Sequence, residues 1–133
     1  MLSPDHDISL SGLRVLIVED EFIIALDIDG MLESAGAAGS RHAGNVKDAL
    51  TVLDEVETGR DKIDVAVLDL KLNHESALPV AARLNELGIP FAFLTGAPED
   101  GETRAFPDVP IVAKPFDDAS LFGGIRRALG GDR

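Results

Sequence analysis

Ile63-Asp64-Val65-Ala66-Val67-Leu68-Asp69 decides the fold. Apolar except for Asp64, it predicts a strand over residues 63–68 that is covered on both faces, as in the middle of a parallel sheet. It ends on a lone carboxylate. The same pattern recurs outward from it. Residues 13–18 run into Glu19-Asp20-Glu21, residues 90–94 into Thr95-Gly96, and residues 111–113 into Lys114-Pro115. Between these runs the apolar spacing turns helical. A helix over about residues 21–35 carries Ile24, Ile28, Met31, Leu32 and Ala35 and stops at Gly36. A second opens at Asn45, a good N-cap, and buries Val46, Ala49, Leu50 and Leu53. A third spans about residues 77–87, with Pro79 tolerated in its first turn and Gly88 closing it. A last one opens at Asp117 and turns Leu121, Ile125, Ala128 and Leu129 inward, with Gly123-Gly124 weakening its middle.

Strands alternating with helices predict an α/β fold, a parallel sheet with crossover helices. The second strand is the weakest signal, within residues 37–43. The fourth crossover breaks the pattern: residues 95–109 hold Gly96, Pro98, Gly101, Pro107 and four acidic residues. A ragged turn near residues 99–105 is all that this composition supports, so helix four is expected to be short or disordered.

The 133 residues suit one domain, with residues 1–12 as a polar tail and 13–130 as the folded unit. An apolar content of 45% is ordinary for a globular chain, and no stretch approaches the ~18–20 apolar residues of a bilayer span. The start of the chain lacks the features of a signal peptide, and the absence of cysteine excludes disulfide and thiol chemistry. A cytoplasmic location is the expectation. The net charge of −12 argues against nucleic acid and anionic membrane as partners.

Ligands of open α/β sheets bind outside the carboxyl ends of the strands. In a doubly wound sheet of order 2-1-3-4-5 the first and third strands flank the switch point, which brings Glu19, Asp20 and Asp69 into one crevice. Carboxylates that close repel one another and call for a cation. Mg²⁺ fits, since it takes oxygen ligands and keeps waters that a phosphate can replace. A carboxylate can attack phosphorus and hold it as an acyl phosphate, and Asp69 stands alone for that role. Glu19 and Asp20 would hold the metal, while Lys114 and Thr95 supply a cation and a hydroxyl for the phosphoryl oxygens. His6, His42 and His74 have no metal spacing and are expected to be surface or structural residues.

On Val18-Glu19-Asp20-Glu21, Val67-Leu68-Asp69, Leu94-Thr95-Gly96 and Lys114-Pro115-Phe116 the chain resembles the receiver domains of two-component response regulators, over about residues 13–129. The resemblance implies a flavodoxin-like (βα)5 fold of strand order 2-1-3-4-5. It also implies phosphorylation of Asp69 by a histidine kinase or phosphotransfer protein. Mg²⁺ would be held by Asp20, Asp69, Glu19 through water and the Lys71 carbonyl, and Pro115 would follow a cis bond. Gly88-Ile89-Pro90-Phe91-Ala92-Phe93-Leu94-Thr95-Gly96 is similar to the signature of the FAT GUY receivers, with Leu94 and Ala97 departing from it. His74-Glu75 stands where that group often has Gly-Glu. Such proteins are often single-domain regulators linked to stress-response phosphorelays. Ile111 occupies the position of the usual aromatic switch, and Asn73 that of a common proline, so the loop after Asp69 is expected to differ in shape.

The expected function is a signalling phosphoacceptor rather than an enzyme, assisting its own phosphorylation and dephosphorylation. Without an output domain it would signal by protein–protein contact or drain phosphate from a relay. Residues 95–109 are expected to be mobile without phosphate and to order on activation. Phe22 and Leu26, off the core stripe of helix one beside Asp29 and Glu33, are a candidate docking patch; in the family this face meets the kinase's helical bundle. The Lys71 side chain, two residues after Asp69, is expected either to be a simple surface charge or to overlook the phosphate. One alternative is a degenerate receiver that only binds partners. Another is an aspartyl-nucleophile phosphatase of the haloacid dehalogenase type, disfavoured because Asp69-Leu70-Lys71 lacks the second aspartate.

Overall fold

Alternation along each strand builds two cores, one on each side of a parallel sheet. The computed structural model describes residues 10–96 and 101–130. Its sheet contains β1 (Arg14–Val18), β2 (Gly39–Ala43), β3 (Val65–Asp69), β6 (Phe91–Thr95) and β7 (Ile111–Ala113), in the order β2-β1-β3-β6-β7. A short hairpin, β4 (Lys71–Leu72) and β5 (Glu75–Ser76), lies outside it. Counted without the hairpin, this is the expected 2-1-3-4-5 order, and every pairing in the main sheet is parallel.

Leu16, Val18, Ala66, Leu68, Phe91 and Phe93 face α2 (Val46–Glu57) and α3 (Leu78–Glu86). Val15, Ile17, Val65, Val67, Ala92, Leu94 and Val112 face α1 (Phe22–Ser34) and α4 (Asp118–Ala128). All five residues of β3 and of β6 are buried, as strands covered on both faces must be.

The helix boundaries follow local chemistry. Asn45 and Asp117 cap α2 and α4 by accepting from the Asp48 and Ser120 N–H groups, at 2.8 and 2.9 Å. Gly36, Gly59 and Gly88 take positive φ just past α1, α2 and α3.

Several expectations shift. The third strand starts at Val65 rather than residue 63; Asp64 before it is tied to Arg14 twice, its carboxylate accepting the Arg14 N–H and its own N–H donating to the Arg14 carbonyl, both at 2.8 Å. On α2 the fully buried set includes Val52, while Leu50 is only half-buried. On α1, Ala25 joins Ile28 and Leu32 in the buried row, with Ile24, Met31 and Ala35 at its margin. Leu10, within the segment expected to be a tail, is buried against the α1 face of the sheet.

The hairpin after Asp69 was not anticipated. Its tip residues Asn73 and His74 have φ of 52° and 70°. Positive φ at both central residues marks a type I′ turn, the tight turn that suits strand twist. Of residues 95–109, positions 97–100, with Ala97, lie outside the described residues, as does His6. The helical part of what is described there is one 3-10 turn, Gly101–Ala105. Phe106 follows it and packs edge-on to Phe91 and Phe93, with centroids 5.9 and 6.1 Å away.

Candidate functional site

Strand register brings the chemistry together. Val18 pairs with Ala43 and Leu68, Asp69 with Leu94, and Thr95 with Ala113, so the residues that end β1, β3, β6 and β7 meet at one edge of the sheet. Glu19 is completely buried, and Asp69 and Thr95 nearly so. Ligand oxygens of Glu19, Asp20 and Asp69 lie within 4.8 Å of one another. The Lys114 ammonium spans two of these acids, donating to Glu19 Oε1 at 2.9 Å and to Asp69 Oδ2 at 2.8 Å. Its backbone N–H donates to the Thr95 carbonyl at 2.8 Å, which ties β7 to β6 beside the hydroxyl. The Lys114–Pro115 peptide is cis.

Charge is out of balance here, with three carboxylates against one ammonium. Burial pushes the Glu19 carboxyl up to about 7, and the negative charge of Asp69 adds to the rise; the bonds from Lys114 and the Glu21 N–H pull the other way. Burial works to lower the Lys114 pKa, but its bonds to Asp69 and Glu19 win and raise it. A close set of hard oxygen donors carrying excess negative charge fits a hard divalent cation.

The hairpin leans on the same acids. The Lys71 N–H donates to Asp69 Oδ1 at 3.3 Å, and the Asn73 N–H to Asp20 Oδ2 at 3.1 Å. The Lys71 side chain turns to the 3-10 turn, its ammonium 3.7 Å from Glu102 Oε2. On the other flank, His42 Nε2 lies 2.7 Å from the Glu19 carbonyl oxygen. A carbonyl can only accept, so that nitrogen carries the proton. The His42 ring rests near Phe22, with centroids 6.0 Å apart. His42 is thus a structural residue of the site rather than a bystander.

Phe22 and Leu26 are exposed, at 63% and 52%, and Ile23 between them is exposed at 74%. Phe22 and Leu26 line a shallow cavity of about 240 Å³ with Ile17, Asp29, Ser40 and His42, where the Ser40 hydroxyl donates to Asp29.

Glu19, Asp20, Asp69, Thr95 and Lys114 therefore converge as expected from sequence, and Lys71 borders them. His42 is the structural residue it was expected to be, while the contacts of Asn73, Ser76 and Glu102 were missed. Asn73 carries a signal, since asparagine favours the left-handed turn conformation. Glu102 carries none, being one acid in an acidic, breaker-rich stretch.

No family model matches the chain. Among curated proteins, the phyllosphere-induced regulator PhyR of Methylorubrum extorquens is 28% identical over 117 residues, 87% of this chain and 43% of PhyR. The chain thus spans less than half the length of that relative. Crystal structures of PhyR are similar. The response regulator PhyR from Brucella abortus aligns at TM-score 0.74 and 30% identity, over 92% of this chain and 49% of that one. PhyR from Bartonella quintana, described as an anti-anti-sigma factor, aligns at 0.70 and 29%, over 90% and 48%. SdrG from Sphingomonas melonis Fr1, in its solution structure, aligns at TM-score 0.71 and 31% identity, over 92% of this chain and 99% of SdrG. With that end-to-end match, the receiver sheet order and the acids and lysine at its strand ends, the chain belongs to the response-regulator receiver family.

Proposed function

We propose that the chain is a phosphoacceptor switch in two-component signalling, with Asp69 as the residue that takes the phosphoryl group. The observation that carries this is the placement of Lys114, which bridges Asp69 and Glu19 at 2.8 and 2.9 Å while Asp20 completes the carboxylate set. An Asp69 oxygen attacks the phosphorus of a phosphohistidine on a histidine kinase or phosphotransfer protein. The new O–P bond forms as the N–P bond breaks, and the electron pair stays on the imidazole. The Lys114 ammonium offsets the charge of the phosphoryl oxygens, and the Thr95 hydroxyl donates to one of them. Asp20 and Asp69, with Glu19 through water and the Lys71 carbonyl, would hold Mg²⁺, which would supply further neutralisation of phosphoryl charge.

We further propose that Phe22 and Leu26, with Ile23 beside them, form the surface that the phosphodonor's helical bundle meets. The output is a protein contact in a stress-response pathway of the FAT GUY type, or drainage of phosphate from a relay. The likeness to PhyR proteins described as response regulators and anti-anti-sigma factors supports this direction.

The test is intact mass after incubation with acetyl phosphate and Mg²⁺. A labile single-phosphoryl adduct is expected on wild type and absent from Asp69→Ala. No adduct on wild type would instead favour a receiver that acts as a binding module alone. Rapid turnover of many phosphate esters would favour a phosphatase.

A further inference from the structure

We propose that the β4–β5 hairpin carries the state of the carboxylate site to the 3-10 turn, with Glu102 as the receiving residue; this rests on Asp69 being the phosphoacceptor. The hairpin is held from two sides. On the site side, the backbone N–H groups of Lys71 and Asn73 bind Asp69 and Asp20, at 3.3 and 3.1 Å. On the far side, Glu102 touches both hairpin strands at once: Oε2 lies 3.7 Å from the Lys71 ammonium, and Oε1 accepts from the Ser76 hydroxyl at 3.2 Å. Lys71 and Ser76 are direct partners in the hairpin register, so one carboxylate clamps one cross-strand pair.

Lys71 is therefore shared, its backbone bound to the acceptor and its side chain bound to the turn. A phosphoryl group on Asp69 changes both attachments. One carboxylate oxygen becomes the bridging oxygen of a mixed anhydride, and new anionic oxygens appear two residues from a lysine whose side chain is 64% exposed. An exposed ion pair is weakly held and yields to a stronger anion nearby. As Lys71 turns toward the phosphoryl group, Glu102 loses the Lys71 charge while its bond from the Ser76 hydroxyl stays, so the clamp weakens and the turn loosens, the reverse of the ordering that composition suggested for residues 95–109. Downstream, Phe106 is joined to the turn by its N–H bond to the Thr103 carbonyl, at 2.9 Å, and its ring packs on Phe91 and Phe93. Movement of the turn is thereby felt at the edge of the core. This route needs no rotating ring at Ile111.

Residue-resolved amide exchange by NMR tests the coupling in two steps, using the full chain. Without phosphate, Glu102→Ala is expected to speed exchange across residues 71–76 by roughly two- to five-fold. Glu102→Gln, which keeps an acceptor for Ser76 but loses the charge, should give a smaller increase. Hairpin exchange that does not change in Glu102→Ala overturns the proposal. Beryllofluoride with Mg²⁺ is then added, its adduct on Asp69 followed by fluorine NMR. In wild type, exchange across residues 101–106 is expected to rise toward the rate seen there in Glu102→Gln, which likewise keeps the Ser76 bond and lacks the Lys71 ion pair. An adduct that forms while the wild-type turn keeps its original rate overturns the proposal and leaves Asp69 as acceptor. No adduct overturns the phosphoacceptor reading and, with it, the trigger.

Discussion

Glu19 has no exposed surface, and burial pushes its carboxyl up to about 7 from an ordinary 4.5. Between those two values the folded chain holds a proton that the unfolded chain has released. Stability from this group therefore falls as pH rises through that window, by at most ~3 kcal/mol. The other shifted buried groups act elsewhere. At Asp61 burial works to raise the pKa, but the Lys62 N–H and Arg41 lower it below 3.8, so its contribution is lost only in stronger acid. The raised Lys114 pKa matters only above 10.5. With divalent cations chelated, the urea midpoint is expected to be higher at about pH 5 than at about pH 7.5, and Glu19→Gln should flatten the profile. A wild-type midpoint that climbs across this range would contradict the assignment of Glu19 as the dominant buried acid.

Within α4 two adjacent glycines look equivalent by helix propensity, each costing about 1 kcal/mol relative to alanine. Packing separates them. A Cβ on Gly124 would stand 2.4 Å from Val112 Cγ2, so only glycine lets the helix lie this close to β7. A Cβ on Gly123 would meet only the Arg127 guanidinium at 3.5 Å, an ordinary contact. Gly124→Ala is expected to cost ~1–3 kcal/mol through forced displacement of helix or strand. Gly123→Ala is expected to stabilise by ~0.5–1 kcal/mol. Denaturant midpoints of the two variants should thus move in opposite directions; stabilisation by both would mean that propensity outweighs the contact with Val112.

For the molecule as a whole, a net charge of −12 means that self-repulsion opposes compaction, and any salt relieves part of it. A specific divalent site adds to that general effect. At matched ionic strength, Mg²⁺ should raise the unfolding midpoint beyond the rise given by NaCl, by ~2.7 kcal/mol at a hundredfold excess over Kd. Asp20→Ala should respond equally to both salts. A wild type that cannot tell Mg²⁺ from NaCl would count against a metal held by Glu19, Asp20 and Asp69.

Element types, their order and the residues at the strand ends were legible along the chain, because they rest on local terms: apolar period, caps at Asn45 and Asp117, and glycines past helix ends. The meeting of Glu19, Asp20, Asp69, Thr95 and Lys114 was also legible, since a parallel sheet of known order places strand ends side by side. What lies between elements was not. The Asp64 bond to Arg14 and the Asn73 bond to Asp20 join residues 50 and 53 positions apart. The Glu102 clamp on Lys71 and Ser76, the close approach at Gly124 and the raised pKa of Glu19 depend likewise on which surfaces face each other and how much water they exclude. Such quantities arise only from packing, so the sequence by itself determined the parts and their order, and the tertiary structure alone decided how those parts bear on one another.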